Sequence, residues 1–393
     1  MKFRIAICAL SVLLIASVSP AEPASASHIA RLDGTSITPL EIDDTVARLM
    51  HAAKVTGIGI AILNHGKVVY LKGYGSRDKA KNLPLTPDSV MSAASFSKSA
   101  FAYLVMQLVG EGKLDLDKPV YQYLPKPVPE YENYRDLAGD PRAKKITARM
   151  LLAHTSGLPN WRRFNDDGKL KIAFDPGSRF AYSGEGIDLL QLVVEIVTRK
   201  PLETLMRERV FAPLGMTRTS MVWEERFEND YANGYDEQEQ SLGPQKRKHA
   251  DAAGSMQTTV RDFARFIEAV TAGTGLRKET REMMFGAQIP ILSKHEFPTF
   301  STETTDANRK IRLSYGLGWG LYWTSRGRAF FKEGHDDGWR HYAVCFDKPG
   351  TGIVIMTNSS NGEGIYKELL ETLLHNADTP IEWEGFTPYN AEK

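Results

Sequence analysis

The chain has 393 residues, of which 42% are hydrophobic and 25% charged, a balance typical of a globular protein with a substantial core. Its 49 Lys and Arg side chains nearly equal its 48 Asp and Glu side chains, and no segment is rich in Lys and Arg. The charge balance therefore argues against binding of nucleic acid or of an anionic membrane surface.

The first 26 residues have the composition of a secretory signal peptide. A short positive head precedes an apolar run over residues 5–18, which is too short to span a bilayer. Small residues follow, with cleavage sites after Ala21 or Ala26. We therefore expect a signal peptide over residues 1–26, export to a periplasm or to the exterior, and no membrane span after cleavage. An uncleaved anchor is the alternative.

The order of apolar patterns along the chain predicts strands at both ends and helices between them. Near the start, two apolar runs joined by Asn64-His65-Gly66 have the pattern of a hairpin. The predicted segments are strands at 58–63 and 67–74, helices at 95–109, 147–153, 187–199, 202–210 and 260–271, strands at 315–322, 329–332, 340–346 and 352–358, and a helix at 363–375.

This order predicts an α/β chain of the α+β type. Strands from both chain ends can form one antiparallel sheet flanked by helices, with a mostly helical subdomain inserted at roughly 110–270. We expect a single domain over residues 27–378 and a C-terminal tail over 379–393. The cleft between sheet and subdomain is the expected site.

Two single residues have structural interpretations. Cys8 would leave with the signal peptide, so Cys345 has no cysteine partner in the mature chain, and its apolar strand pattern indicates a buried, unreactive thiol. His154 lies in a Thr-Ser-Gly turn and is expected to have a structural role.

The clearest chemical signal is a serine and a lysine one helical turn apart. A serine hydroxyl is a weak nucleophile at neutral pH and needs a base within hydrogen-bond reach. Ser95 and Lys98 open a predicted apolar helix and share one of its faces, and the free N–H groups of a first turn favour developing negative charge. A second Ser-x-x-Lys match, Ser76 with Lys79, lies in a charged, loop-like segment. Context therefore favours Ser95 as the nucleophile.

A tyrosine and a further cation can complete such a site. Tyr182 lies between a Pro-Gly turn and a predicted helix, a position from which its ring can enter a cleft; a packing role is the alternative. The cation is expected at the end of a strand, where Lys332 and His335 are both candidates. In the lysine case Glu333 and Gly334 follow, and Gly334 would let a substrate backbone lie along the strand edge.

These three motifs, in this order, resemble the serine β-lactamase and penicillin-binding-protein superfamily. The likeness extends over roughly residues 40–378 and is strongest to the branch that holds class C β-lactamases, D-alanyl-D-alanine carboxypeptidases and related esterases. Supporting segments are Ile146-Thr147-Ala148-Arg149-Met150-Leu151-Leu152-Ala153-His154-Thr155-Ser156-Gly157-Leu158, Phe211-Ala212-Pro213-Leu214-Gly215-Met216 and Tyr315-Gly316-Leu317-Gly318-Trp319.

The resemblance implies a serine hydrolase that forms an acyl-enzyme on Ser95, with Lys98 and Tyr182 moving the proton. Amides, β-lactams and esters are the implied substrates, and small molecules or peptides, including cell-wall-derived compounds, are the implied partners. No cofactor is expected, because phosphate-binding and dinucleotide-binding motifs are missing from the sequence. No metal site is expected, because His335 and His341 have no third ligand at a useful spacing. The sequence leaves the oligomeric state open.

The third motif has two possible registers. Many relatives carry Gly-His-x-Gly, which Gly334 and His335 resemble, and this gives His335 a slight preference over Lys332 as the cation. The implied oxyanion hole uses the backbone N–H of Ser95. Its second N–H comes from near Gly338 in the histidine register and from His335 in the lysine register.

Two departures from the family pattern concern specificity. The second motif often ends in an Asn that offers its amide to the acyl side chain of the substrate, and here that position is Gly184. The residue after the cation is usually Thr, Ser or Gly, and here it is Glu333 or Asp336, which would repel a substrate carboxylate unless paired and would favour an amine. We expect hydrolase chemistry with shifted specificity. The alternative is a penicillin-binding sensor or an interaction scaffold that keeps the fold without turnover.

Overall fold

The computed structural model describes residues 27–391, so the predicted signal peptide at 1–26 lies outside the described residues, as do residues 392–393. The strands are β1 (Ile29–Ala30), β2 (Ser36–Ile37), β3 (Gly57–Asn64), β4 (Lys67–Asp78), β5 (Leu83–Pro84), β6 (Met91–Ser92), β7 (Gly234–Tyr235), β8 (Ser241–Gly243), β9 (Gln257–Thr258), β10 (Ile289–Pro290), β11 (Ser314–Tyr315), β12 (Gly320–Thr324), β13 (Gly327–Asp336), β14 (Trp339–Phe346) and β15 (Thr351–Thr357). The helices are α1 (Pro39–Ala53), α2 (Phe96–Gly110), α3 (Ala148–Leu152), α4 (Gly184–Thr198), α5 (Leu202–Met206), α6 (Val260–Ala272), α7 (Lys278–Met284), α8 (Tyr366–Leu369) and α9 (Ile381–Glu384).

A nine-stranded sheet is formed from both ends of the described chain. Its strand order is β10-β11-β12-β13-β14-β15-β3-β4-β5, and each neighbouring pair is antiparallel. Strands β15 and β3 pair where the two chain ends meet, with Thr357 opposite Ile58. The prediction of one antiparallel sheet built from both chain ends and flanked by helices is confirmed.

Strand β3 supplies hydrophobic side chains to both faces of this sheet. Ile58, Ile60 and Ile62 pack on one face in a core shared with α1 and α8. Ala61 and Leu63 pack on the other face in a core shared with α2 and α6. A strand covered on both faces is apolar almost throughout, which explains the unbroken apolar run in the sequence.

The turn between β3 and β4 has the predicted hairpin geometry. His65 and Gly66 have φ angles of 51° and 70°, so both lie in the left-handed region. A two-residue turn with positive φ at both positions matches the twist of the flanking strands. This turn sets the register in which Asn64 lies opposite Lys67.

Some predicted elements are interrupted in the structure. The strand expected at 315–322 is divided into β11 and β12, because the N–H of Gly316 donates to the carbonyl of Trp319 at 2.8 Å and closes a turn between them. The helix expected at 363–375 consists of a 3-10 turn (Gly362–Ile365), α8 and a π turn (Leu370–Leu374). Helices of the inserted part run from α2 to α7, a wider span than the 110–270 of the sequence analysis.

The segment expected to be a C-terminal tail packs against the core. Trp383 on α9 is 2% exposed, and its ring centroid lies 5.9 Å from that of Phe180 and 6.5 Å from that of Phe331. Phe386 follows in the same core. Residues 380–386 are therefore part of the folded unit and reach the neighbourhood of Tyr182, since Phe180 lies two residues before it.

Within residues 27–391 no helix has both the length and the apolar character that a membrane crossing requires. Cys345 is buried on β14, and burial raises the pKa of its thiol to about 12. A thiol with so high a pKa is not an effective nucleophile at neutral pH.

Candidate active site

Ser95 lies at a sharp turn that ends β6 and begins α2. Ala94, just before it, has a φ of 47°, in the left-handed region that costs an alanine on the order of 1 kcal/mol. The hydroxyl of Ser97 donates to the carbonyl of Ala94 at 2.6 Å and accepts from the N–H of Met256 at 3.0 Å. These contacts fix the turn, so that Ser95 occupies the N-cap of α2 and borders a cavity.

Lys98 is buried directly behind Ser95. Its Nζ donates to the Oγ of Ser95 at 3.0 Å and to the carbonyl of Ala253 at 2.6 Å, and the residue is 1% exposed. Burial, with repulsion from the second ammonium at Lys332, lowers the pKa of Lys98 to about 8, and the carboxylates of Asp251 and Asp188 limit that lowering. A lysine with this pKa is partly neutral near pH 7 to 8, so it can accept the proton of Ser95.

Tyr182 lies between two ammonium groups. The Nζ of Lys332 donates to its hydroxyl at 3.0 Å, and the Nζ atoms of Lys98 and Lys332 lie 5.0 Å and 4.7 Å from its ring centroid. Burial raises the pKa of Tyr182 well above its ordinary value, and the carboxylate of Glu333 raises it further, while a hydrogen bond with Ser95 opposes the shift. The phenol therefore rests protonated, which suits a proton donor, whereas Lys98 suits the role of base.

His154 packs against the ring of Tyr182. Its imidazole is fully buried, with ring centroids 4.4 Å from Tyr182 and 4.9 Å from Tyr315, and its Nδ1 accepts from the N–H of Ser183 at 3.3 Å. Burial and the two lysine ammonium groups lower the pKa of His154 well below its ordinary value. A neutral imidazole in this position packs against Tyr182 and holds its loop.

The structure brings Lys332, and not His335, to Tyr182. The two residues are three apart on β13, so their side chains leave opposite faces of the strand. The His335 side chain is 54% exposed, with its Nδ1 3.3 Å from Glu363. The slight preference for His335 as the third-motif cation is therefore not supported by the geometry, which favours the lysine register.

The edge of β13 faces the cavity with unpaired backbone groups. Asp336 and Trp339 flank a two-residue turn, so their backbones exchange hydrogen bonds with each other. Along two antiparallel strands such pairs alternate with pairs that exchange no hydrogen bonds, and the next pair, His335 with Arg340, is of the second kind. The N–H of His335 thus points away from β14, and β12 no longer pairs with β13 beyond Phe331. A Cβ on Gly334 would lie 3.0 Å from the carbonyl of Ala93, so this edge runs along the Ser95 turn.

The N–H of His335 is consequently a candidate oxyanion donor alongside that of Ser95. Gly338, the candidate of the histidine register, is engaged elsewhere. Its N–H donates to the hydroxyl of Ser360 at 3.0 Å, and its φ of 79° serves the turn between β13 and β14.

Trp161 occupies the space next to Gly184. Gly184 opens α4 and donates its N–H to the carbonyl of Asn160 at 3.1 Å. A Cβ at this position would lie 2.8 Å from both that carbonyl and the Trp161 ring. The same ring lies 5.6 Å from the Nζ of Lys98. Where the family pattern places an amide, this site therefore presents an aromatic wall.

The two acidic residues of the third motif have different surroundings. Glu333 is 6% exposed and forms an ion pair with Lys332. Asp336 lies further out and pairs with Arg247 at 2.9 Å. Glu333 is thus next to Lys332, which contacts Tyr182, whereas Asp336 lies at the outer edge of the site.

A cavity of about 900 Å³ is bordered by Ser95, Tyr182 and Glu333. Four carboxyl groups that border it, Asp251, Glu296, Glu363 and Glu384, were not predicted from the sequence, because each lies in a segment without a chemical motif. Within residues 27–391 no group of three His, Cys, Asp or Glu side chains is placed to hold a metal ion. The lining residues are Ala94, Ser95, Asn160, Trp161, Arg163, Phe164, Tyr182, Arg247, Lys248, His249, Asp251, Ala253, Gly254, Ser255, Glu296, Phe297, Glu333, His335, Asp336, Asp337, Glu363, Glu384, Gly385 and Phe386.

The fold and the site together define a class of protein. In this class a helix begins at a serine, carries a lysine one turn later and lies beside a large antiparallel sheet. Among solved structures, the octameric penicillin-binding protein homologue from Pyrococcus abyssi is similar in fold, with a TM-score of 0.69 and 24% identity over 86% of this chain and 78% of that one. At this identity the likeness concerns the fold.

The family model for β-lactamase matches residues 42–375, so the chain belongs to the β-lactamase family. It is 29% identical over 234 residues to esterase EstB of Burkholderia gladioli, a match that covers 52% of this chain and 57% of the esterase. It is 26% identical over 291 residues to a β-lactamase of Pseudomonas fluorescens, covering 72% of this chain and 74% of that protein. The chain thus spans little more than half of EstB.

The contact between Gly184 and Trp161 can be tested by Gly184→Asn. Because the new side chain must displace the indole ring, we expect a loss of about 1–3 kcal/mol in the free energy of unfolding, measured by urea denaturation. Trp161→Ala opens the same space, so the double variant should lose less than the sum of the single losses. Strict additivity would show that the two residues do not compete for one space.

Proposed function

We propose that this chain is an exported serine hydrolase that acts through an acyl-enzyme on Ser95, with amide, β-lactam or ester substrates. The observation that carries the proposal is the buried Nζ of Lys98, 3.0 Å from the Oγ of Ser95, with a pKa lowered to about 8. Export rests on the composition of residues 1–26. The names of the relatives, an esterase and a β-lactamase, support the class of substrate.

In the proposed reaction, Lys98 takes the proton of Ser95 as the Oγ attacks the carbonyl carbon of the substrate. The N–H groups of Ser95 and His335 stabilise the oxyanion. The proton then reaches the leaving group through the hydroxyl of Tyr182, which Lys332 holds at 3.0 Å. In the second half, water attacks the acyl-enzyme, and one proton of that water passes to the Oγ of Ser95 as the bond to the acyl group breaks.

The aromatic wall at Gly184 and Trp161 favours apolar acyl groups. An amide at that position could hydrogen-bond a peptide-like acyl side chain, whereas an indole ring offers only apolar contact and stacking. Short-chain esters are therefore the first substrates to assay. Small molecules and peptides, including cell-wall-derived compounds, are the partners to test beyond them.

The second Ser-x-x-Lys match in the chain provides a matched control for the nucleophile. We expect Ser95→Ala to lower kcat/KM on a short-chain ester by about a thousandfold or more, because it removes the hydroxyl that Lys98 contacts and that the proposal acylates. Ser76→Ala should leave the rate unchanged, since Ser76 lies on β4 and Lys79 pairs with Glu239 at 3.1 Å. Equal rates for Ser95→Ala and the wild type would contradict the proposal.

A fluorescent penicillin separates hydrolysis from the sensor alternative. A hydrolase releases the label from Ser95 with time, whereas a sensor keeps a stable adduct at the same residue. Mass spectrometry of the intact protein follows either outcome. A scaffold would show neither adduct nor ester cleavage.

The two registers of the third motif predict opposite results for Lys332→Ala and His335→Ala. Because Lys332 contacts the hydroxyl of Tyr182, its loss should lower kcat on an ester by about a hundredfold or more. The His335 side chain is exposed beside Glu363, so its removal should change kcat less than about threefold. The reverse order of effects would favour the histidine register.

The lowered pKa of Lys98 predicts a pH dependence. Since the neutral amine is the base, kcat/KM on a non-ionising ester should rise tenfold per pH unit at low pH and level off above a pKa of about 8. A pH-stat assay between pH 6 and 10 measures this profile. Tyr182→Phe should be slower with the same inflection, and an inflection that disappears in that variant would assign the titration to Tyr182.

A further inference from the structure

Three buried carboxyl groups from separate parts of the chain border the same cavity. Glu333 follows Lys332 on β13, Glu296 precedes β11, and Glu384 ends α9. They are 6%, 3% and 6% exposed, and all three border the cavity. Their burial is unusual, because carboxyl groups are seldom buried without enough partners.

The cluster has more acceptors than donors. Oε1 of Glu296 and both carboxyl oxygens of Glu384 are buried without a hydrogen-bond partner. Lys332 pairs with Glu333 and also donates to Tyr182, so one ammonium serves several groups. Burial and mutual repulsion raise the pKa of Glu296 and of Glu384 well above the ordinary value. A further cation in the cavity would relieve that repulsion.

The position of the cluster indicates which part of a substrate it would contact. Lys332 holds the hydroxyl of Tyr182, which in the proposed reaction protonates the leaving group. Trp161, the wall proposed for the acyl group, lies instead against Lys98. Glu333 and its neighbours therefore lie on the leaving-group side.

We propose that Glu296, Glu333 and Glu384 bind a primary ammonium group on the leaving-group side of the substrate. An ammonium carries three donors and no acceptor, which matches carboxyl oxygens that border one cavity and lack partners. The assignment rests on the proposed hydrolase function and narrows it to esters and amides whose leaving group is cationic. It also explains an acidic residue where the family pattern has Thr, Ser or Gly.

Three phenyl acetates with matched size test the assignment. They carry a para-aminomethyl, a para-ethyl or a para-carboxymethyl group, so the leaving group is cationic, neutral or anionic. We expect kcat/KM for the cationic ester to exceed that for the neutral one by about tenfold or more, and the anionic ester to be the slowest. Rates are corrected for hydrolysis without enzyme.

Variants of the cluster should change this ratio. Glu296→Gln and Glu384→Gln should each lower the ratio of kcat/KM for the cationic ester to kcat/KM for the neutral ester by about threefold or more. Because both values are measured on the same variant, this ratio does not depend on the overall rate of that variant. Glu382→Gln is the matched control, because Glu382 lies on the same helix and is exposed. It should keep the wild-type ratio.

A measurement on the wild type keeps the test independent of folding in the variants. Benzylammonium should inhibit hydrolysis of the neutral ester at concentrations at least about tenfold lower than benzyl alcohol does. Ser95-dependent hydrolysis with equal rates for the cationic and neutral esters would overturn the ammonium site and leave the hydrolase proposal standing. Absence of Ser95-dependent turnover of all three esters and of penicillin would overturn the hydrolase proposal, and the site with it.

Discussion

The burial of the Lys98 ammonium is the constraint around which the site is organised. An ammonium removed from water needs acceptors, and the described contacts of its Nζ are the Oγ of Ser95 and the carbonyl of Ala253. The turn before α2 and the segment from Ala253 to Met256 therefore have to meet at this point, and the hydroxyl of Ser97 joins them. Ala94, with its φ of 47°, lies in the same turn, immediately before Ser95.

The sequence predicted the parts of the site that depend on local spacing. Ser95 and Lys98 share a helical face, and the motif order selected Tyr182. The choice between Lys332 and His335 could not be made in the same way. Strand β13 is covered on both faces from residue 329 to 334, so the polar and apolar alternation that would reveal which side chains face the site is missing. The structure distinguishes them by the distance of 3.0 Å between Lys332 and Tyr182 and by the exposure of the His335 side chain.

Other parts of the site depend on contacts between distant segments. Gly184 departs from the family pattern in the sequence, yet only the structure shows that the indole of Trp161 takes up the space of the missing side chain. Glu384 lies in a segment expected to be a tail, and no pattern predicted that Trp383 beside it would enter the core. One antiparallel sheet built from both chain ends was predicted from the strand patterns, whereas the order of its strands and the breaks within the predicted elements depend on tertiary contacts.

The seam between β3 and β15 has a consequence for how the chain folds. Residues paired between β3 and β15, such as Ile58 and Thr357, are separated by most of the sequence. Pairing these two strands therefore closes a very long loop, and the conformational entropy of that loop is lost before the contacts between the strands can compensate for it. Such non-local pairing raises contact order and slows folding. During synthesis, β3 and β4 emerge as a hairpin with one long edge uncovered until β15 arrives. The protein therefore depends on its last strands both for Lys332 and for protection from pairing with other chains.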